Sequence, residues 1–317
     1  MKLSVIVPAL DEAKFIHKLI ESIEDVDETE KEILIVDGGS NDGTVEAVRE
    51  LSKCYSNIKL VQNPERYVSH GFNRAFLQAE GEFIALVGAH AIYPKNYFKE
   101  CIKVIEEGEC NASGGFLIQE GKSNKGKAIA SAMSSKFGVG NTDFRTKPRR
   151  SYVESVAFAV YDKRIFKKVG LFDELLIRNQ DDEFHYRINA AGFRILMLPE
   201  LKVTYFVRES FKKLFVQYYN YGLFKPLVFK KVRSGMRLRH LIPSFFVVYI
   251  VSLPLILFSI LWLLPLLIYT TFSIYFSLNS KNRVRAKLLT PIVFPILHLS
   301  YGLGFLNGLL KWRKYKS

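Results

Sequence analysis

Three short strings in this 317-residue chain carry side chains that could do chemistry, and each follows an apolar run or precedes a helical one. Asn179-Gln180-Asp181-Asp182-Glu183, directly after Arg178, gathers groups able to bind protons, metals or hydroxyls. A helix start looks the same, because acids stabilise a helix N-terminus. Asp37-Gly38-Gly39 places a carboxylate where it could accept from the imide N–H of a uracil-like base, beside glycines that let backbone approach a ligand closely. Taken alone this is equally a turn in which Asn41-Asp42-Gly43 caps the next helix. Gly88-Ala89-His90 offers one imidazole where a metal bound to a diphosphate could sit, although a lone histidine is more often not a ligand.

The elements that must position these strings read as alternating strands and helices. Residues 3–7 and 33–36 are continuous apolar, β-rich runs suited to strands buried on both faces. Between them Phe15, Ile16, Leu19, Ile20 and Ile23 form a helical stripe. Residues 44–51 and 70–78 read as further helices, and 58–61 and 83–87 as further strands. This alternation predicts a doubly wound, mostly parallel α/β sheet. Ligands of such sheets collect beyond the carboxyl ends of the strands, where two of the three strings fall.

Charge divides the chain. Residues 201–317 hold 18 Lys plus Arg against the single acid Glu209, while residues 1–200 hold 27 against 30. Basic clusters interleaved with apolar runs suit anionic headgroups, each basic side chain contributing roughly 1 kcal/mol near the surface. The overall charge of +14 is therefore not read as a nucleic-acid footprint. Cys54, Cys101 and Cys110 form neither a CxxC nor a Cys/His pair, so no disulfide framework or structural zinc site is expected. The opening MKLSVIVPAL reads as a strand and not as a signal peptide, which places the soluble domain in the cytoplasm.

From Ser210 the residues Phe211, Leu214, Phe215, Tyr218, Tyr219 and Gly222 share a helical face opposite Lys212, Lys213, Gln217 and Asn220, as in an interfacial helix. A surface helix docked on a core would show the same pattern. Residues 241–278 are 38 positions without a charged side chain, interrupted by Pro243, Pro254 and Pro265. One span needs ~20 residues, so two crossings turning near 263–265 are expected. Arg233, Arg237 and Arg239 before, with Lys281, Arg283, Arg285 and Lys287 after, put both ends on the cytoplasmic side. Residues 288–310 are read as re-entrant or interface-lying, because a third crossing would carry the tail of Lys311, Arg313, Lys314 and Lys316 outside; a simple third span is the alternative. The expected organisation is a catalytic domain at 1–208, interfacial helices at 209–240, a membrane region at 241–310 and a basic tail at 311–317.

The strings SVIVPALDE, VDGGSNDGT, GAHAIYPKNYF, FGVGNTDFR, VGLFDE, RNQDDEF and HLSYGLGFLNGLL, in this order and spacing, resemble glycosyltransferase family 2. The later strings resemble its membrane-bound subgroup of succinoglycan-type exopolysaccharide glucosyltransferases. The resemblance implies a GT-A fold and an inverting, nucleotide-sugar-dependent transferase with C-terminal transmembrane helices. It implies that Asp37, Gly39 and the loop of Pro8, Ala9, Leu10 and Glu12 hold the nucleotide. It also places the metal-binding DxD segment at Gly88-Ala89-His90. Gly88 stands where the family usually has the first Asp, which leaves His90 as the candidate ligand for Mg²⁺ or Mn²⁺. Arg66 would add charge near the phosphates, unless it is an ordinary surface arginine, and Asn73 lies in a segment the family often uses for the donor pocket.

On the acceptor side the resemblance makes Asp181 the general base, with Gln180 at a position often occupied by Glu and with Arg178 and Asp182 beside it. Phe137-Gly138-Val139-Gly140, ahead of Arg145 and Arg149, would form a mobile lid. The expected donor is a nucleoside-diphosphate sugar, UDP-linked by family habit, and the expected acceptor a hydroxyl of a polyprenyl-diphosphate-linked glycan at the cell membrane. A polyprenyl-phosphate sugar synthase and a catalytically weak membrane partner of a polysaccharide machine are the alternatives. Membrane lipids are expected partners, nucleic acid is not, and no oligomeric state is implied.

Overall fold

The computed structural model describes residues 2–232 and 236–315; Arg233 and Lys316 of the expected basic clusters lie outside them. The chain divides into two compact units, Met1–Ile118 with Lys147–Tyr205, and Gln119–Thr146 with Phe206–Ser317.

The first unit is built on the alternation read from the sequence. Strands β1 (Leu3–Ala9), β2 (Lys31–Asp37), β3 (Ile58–Gln62) and β4 (Phe83–Leu86) are linked by helices α1 (Ala13–Glu24), α2 (Thr44–Cys54) and α3 (Val68–Gln78). β1 and β2 are buried almost throughout, as their continuous apolar sequences require. After β4 come β5 (Ala91–Ile92), α4 (Tyr97–Glu106) and β6 (Ala112–Glu120). The helices α5 (Asn124–Met133), α6 (Lys136–Val139) and α7 (Asp143–Thr146) then precede β7 (Ser151–Tyr152), β8 (Val160–Asp162), α8 (Ile165–Val169), α9 (Gln180–Ala190) and β9 (Ile195–Phe206).

Among the described residues the sheet runs β3-β2-β1-β4-β8-β6-β9-β5, with β7 paired to β9. Only its first half is parallel: β4 to β8, β8 to β6, and β9 to β5 and β7 are antiparallel. The sheet is therefore mixed rather than mostly parallel. The signal for parallel pairing, a strand followed by a crossover helix, ends at β4. In the parallel half Ala9 lies opposite Asp37, and Asp37 opposite Gln62, so three strands end at one level.

The second unit holds α5, α6 and α7 with α10 (Phe211–Val232), α11 (Leu238–Val251), two 3₁₀ turns (Leu253–Leu257 and Ile260–Leu263), α12 (Leu264–Leu278) and α13 (Val284–Lys311). Its inclusion of 119–146 departs from the boundary expected at 208. Phe137 accounts for this: its ring stacks on Phe276 at 5.5 Å, meets Phe294 edge-on at 4.9 Å and contacts Tyr269 and His298. His298 Nε2 also bonds the Phe137 carbonyl at 2.9 Å. Phe137 is thus an anchor among the C-terminal helices, and the expected mobile lid is corrected accordingly.

Along α10 the buried set is Leu214, Tyr218, Gly222 and a continuous run from Phe224 to Phe229, while Lys212, Lys213 and Phe215 stay exposed. α13 packs against it at glycines: a Cβ on Gly304 would stand 3.0 Å from Leu223 N, and one on Gly308 3.1 Å from Pro226 Cδ. Among the described residues two stretches, Ile260–Leu278 and Val284–Lys311, are long and apolar enough to cross a membrane, and α11 is a shorter apolar helix.

Candidate active site

The loops after β1 and β2 are laced together by their own polar groups. Gly38 N–H donates to the Ala9 carbonyl at 2.9 Å, Asp11 N–H to Ser40 Oγ at 2.9 Å, and Asn41 N–H to Asp11 Oδ1 at 3.0 Å. Glu12 N–H and Ala13 N–H, at the start of α1, donate to Thr44 Oγ1 and Asp42 Oδ2. These contacts supply partners for donors that a helix start otherwise leaves open. Pro8, Ala9, Leu10 and Glu12 are therefore held against the Asp37 turn by the fold.

Asp37 is buried, and its carboxylate accepts from Gly39 N–H at 2.9 Å and from Ser40 N–H at 3.2 Å. It first of all shapes its own turn, in which Gly39 takes φ 82°, a conformation glycine adopts without steric cost. A carboxylate has about four lone-pair sites, so capacity remains for a further donor. Arg66, at φ 68° and exposed, sends Nε to the Gly38 carbonyl at 3.2 Å, which places its guanidinium on the same turn.

The Gly88-Ala89-His90 string meets the loop after β1 through a contact between imidazole and carboxylate. His90 Nε2 lies 3.0 Å from Glu12 Oε1, and Phe15 packs edge-on to the imidazole at 4.9 Å. The other Glu12 oxygen, Oε2, is buried without a hydrogen-bond partner. Gly88 N–H donates to Tyr93 Oη at 3.0 Å, and the Phe158 ring covers the glycine.

α9 is fixed from below. Phe184 packs on Phe166 at 4.9 Å and on Phe172 at 5.0 Å, and Phe172 stacks on Phe72 of α3 at 4.1 Å. Arg187 pairs with Glu183 one turn back and donates to the Leu171 carbonyl at 2.8 Å. Asn179, at φ 61°, turns the chain into the helix, leaving Asp181 and Asp182 half-buried in its first turn. Gln180 Oε1 is buried with no partner, whereas Arg178 is exposed.

Asp182 belongs to a hydrogen-bonded string whose protons can be counted. Ser155 Oγ donates to Asp182 Oδ1 at 3.1 Å and lies 3.0 Å from His185 Nδ1, while Tyr161 Oη lies 2.8 Å from His185 Nε2. Ser155 has one proton, so Nδ1 carries hydrogen and donates to Ser155, and bare Nε2 accepts from Tyr161. Donors then point from Tyr161 through His185 and Ser155 to the Asp182 carboxylate. Burial pushes the His185 pKa down to about 4, against the opposing charge of Asp182, so the ring is neutral. Burial, with the charge of Asp181 adding to it, raises the Tyr161 phenol well above its ordinary value.

The segment 155–158 joins these regions. Ser155 touches Asp182 and Phe158 covers Gly88, three residues apart and hence within roughly 10 Å along the chain. Asp37, Gly39, Glu12, Gly88, Ala89, His90 and the start of α9 thus lie along one connected rim of the first unit. Asn73 does not join them. Its amide is buried and committed to the 172–174 loop, donating to the Phe172 carbonyl at 2.9 Å and accepting from Phe172 N–H at 3.0 Å. It holds that loop under α9, which corrects the expectation of a donor contact.

Ser155, Phe158, Tyr161 and His185 were not singled out from the sequence. SVAFAVYD reads as an ordinary buried strand, and no local pattern announces that Phe158 takes φ 55°. Of the expected Asn41-Asp42-Gly43 cap, Asp42 accepts from Thr44 N–H at the start of α2; that Ser40, Asp42 and Thr44 also hold the start of α1 has no signal in the local sequence.

A mixed α/β sheet whose first strands end in the Asp37 turn and the histidine loop, with an acid-tipped helix at the same rim, defines a GT-A glycosyltransferase fold. The family model described as glycosyl transferase family 2 matches residues 4–170, and the chain belongs to that family. It is 29% identical over 322 residues to the succinoglycan biosynthesis protein ExoA of Rhizobium meliloti, covering 98% of this chain and 96% of that one. It is also 29% identical over 319 residues to the dolichyl N-acetyl-alpha-D-glucosaminyl phosphate 3-beta-D-2,3-diacetamido-2,3-dideoxy-beta-D-glucuronosyltransferase of Methanococcus voltae, covering 98% and 97%. Among solved structures, the mannosyltransferase PcManGT from Pyrobaculum calidifontis, in complex with GDP-Man and Mn²⁺, superposes with TM-score 0.62 at 18% identity, covering 99% and 88%. That likeness is one of fold.

The residues present fit a divalent ion only in part of its shell. Among the described residues no three metal-capable side chains converge, but His90 and the unpartnered Glu12 Oε2 stand together at the rim. Two donors suit an ion that takes its other ligands from diphosphate oxygens and water, as Mg²⁺ commonly does.

Proposed function

We propose that this glycosyltransferase moves a sugar from a nucleoside-diphosphate donor, UDP-linked, to a hydroxyl of a polyprenyl-diphosphate-linked glycan, with inversion at the anomeric carbon. The observation that carries this reading is the connected rim, in which Ser155 and Phe158 tie the start of α9 to the Gly88 loop. Two near-full-length relatives, one named for succinoglycan biosynthesis and one for a dolichyl-linked acceptor, support the acceptor class.

In this reading the Asp37 turn receives the base, with Arg66 on the same turn near the phosphates. Glu12 and His90 would hold a divalent ion arriving with the donor, which would supply positive charge beside the diphosphate. Asp181 takes the proton of the acceptor hydroxyl as its oxygen attacks the anomeric carbon. The bond from that carbon to the diphosphate oxygen breaks with its electron pair leaving on the nucleotide. Arg178, Gln180 and Asp182 neighbour the base in sequence, and the Tyr161-His185-Ser155 string orients Asp182.

This reading puts the catalytic unit on the cytoplasmic side. The basic clusters flanking residues 241–278 and the free Cys54, Cys101 and Cys110 support that side. α10, with Lys212 and Lys213 exposed, serves as the interfacial helix.

The test is a transfer assay on membranes containing the full chain, supplied with UDP- and GDP-sugars and a polyprenyl-diphosphate glycan. Extracted lipids are read by mass spectrometry, and the new linkage by NMR of the anomeric proton. A product extended by one sugar with inverted configuration is expected. Retention of configuration, or sugar appearing on polyprenyl phosphate alone, overturns the reading.

A further inference from the structure

We infer that the apolar hairpin from α11 to α12 turns inside the hydrocarbon of the bilayer and does not emerge on the far side. This goes beyond the proposed reaction and does not depend on it. Two crossings and a re-entrant hairpin both return the chain to its entry side, so they differ only at the tip.

The tip is composed for lipid. Leu257 and Phe258 are each 87% exposed, and Ile260 and Leu261 each 73%, with no charged residue from 241 to 278. On the far side of a membrane these four side chains would stand in water. The polar side chains of the turn are paired within it: Tyr249 Oη donates to the Trp262 carbonyl at 2.8 Å, and Trp262 Nε1 to Ser252 Oγ at 3.2 Å. Ser252 Oγ donates to the Tyr249 carbonyl at 2.7 Å, and Leu261 N–H to Ser259 Oγ. A turn that shows apolar side chains and pairs its polar side chains with one another suits hydrocarbon, because lipid tails offer polar groups no partner.

Depth points the same way. α11 starts at a polar level, where Arg239 Nη1 donates to the Asn141 carbonyl at 2.7 Å and the Arg239 side chain lies against Gly140. From His240 to Val251 it rises about 17 Å at 1.5 Å per residue, and the 3₁₀ turn Leu253–Leu257 adds at most about 10 Å at 2.0 Å per residue, which stays short of ~30 Å of hydrocarbon. On the returning limb Phe137 of α6 packs on Tyr269, Phe272 and Phe276, leaving only the start of α12 beyond it. Tyr249 Oη accepts from Leu266 N–H at 3.2 Å, which sets the two limbs level near the turn.

α13 is held on the entry side as well. Its C-terminal half lies along α10, which carries Lys212, Lys213, Lys225, Lys230 and Lys231, and Lys230 Nζ donates to the Trp312 and Arg313 carbonyls. A helix bound to such a partner lies at the interface with it.

Trp262 sits in the turn, and the sequence has only one other tryptophan, so Trp312→Phe leaves a single native depth probe. In vesicles of brominated phosphatidylcholine containing the full chain, Trp262 fluorescence is expected to be lost to bromines deep in the acyl chains. It should largely survive bromines near the headgroups and aqueous acrylamide. A second readout uses Phe258→Cys in a Cys54→Ser background, with Lys281→Cys as the entry-side control. A membrane-impermeant maleimide should leave position 258 unlabelled in intact cells and in inside-out vesicles, and should label 281 in the vesicles. Quenching of Trp262 from the headgroup region or by acrylamide, or labelling of position 258 from outside intact cells, overturns the inference.

Discussion

The ring of Phe158 fills the space that a side chain at Gly88 would need: a Cβ there would stand 2.8 Å from Phe158 Cζ and closer still to Cε1. Phe158 is held in place despite its left-handed backbone, φ 55°, by Tyr97, whose hydroxyl donates to the Phe158 carbonyl at 2.7 Å. The family's first Asp is therefore not only absent here; its room is occupied. Gly88→Asp is expected to overpack the rim, costing about 1–3 kcal/mol, and to lower the melting temperature and donor affinity together. Gly88→Asp with Phe158→Gly should recover much of both, since glycine also suits the backbone at 158. Melting curves and nucleotide titrations check this, and a Gly88→Asp protein as stable as the parent removes the steric relationship from consideration.

Metal binding should depend on nucleotide. His90 and Glu12 offer two donors where an ion held by protein alone takes several more, so Mn²⁺ titrated into the nucleotide-free chain is expected to show no saturable site. Adding a nucleoside diphosphate should create one. His90→Ala should then weaken nucleotide binding in Mn²⁺ while leaving binding in EDTA nearly unchanged. Equal loss in both conditions would assign His90 to the nucleotide itself.

How far the sequence alone carries depends on whether a feature is local. β1, β2 and the polar turn in which Asp42 meets the start of α2 are legible because continuous apolar runs and short polar strings determine them residue by residue. The mixed second half of the sheet was not, because β8 and β6 pair through contacts between residues far apart in sequence. Asn73 reads as a ligand contact in the sequence, but its amide is committed to Phe172, 99 residues away. Phe137 read as part of a glycine-rich lid, since nothing near it in sequence reveals the aromatic ring of Phe276 that it stacks on.

Asp181→Asn separates catalysis from donor binding. The substitution keeps size and some hydrogen bonding in the first turn of α9 but removes the proton acceptor. Turnover is expected to fall by about 10²–10⁴-fold, the usual contribution of positioned proton transfer, with nucleotide affinity little changed. Steady-state transfer rates with parallel calorimetric titration of nucleotide measure both. Turnover within a few-fold of the parent would move the base elsewhere, with Asp182 the next residue to substitute.

Acid should loosen the unit through His185. Its folded pKa is pushed down to about 4 from the ordinary 6.5, by burial first and against the charge of Asp182, with Ser155 and Tyr161 as its hydrogen-bond partners. The unfolded chain therefore takes up a proton at this ring as pH falls below about 6.5, while the native chain does not. The contribution is complete above that pH and is lost as pH falls towards 4, amounting to about 3 kcal/mol over the window at 1.4 kcal/mol per pH unit. His185→Gln removes this titration and leaves other acid-sensitive contacts, such as Glu183 with Arg187, in place. The variant should be less stable at pH 7.5 yet show a flatter decline in denaturation midpoint down to pH 4.5. Parallel curves for parent and variant would mean that His185 is not the buried neutral group that the string from Tyr161 to Asp182 requires.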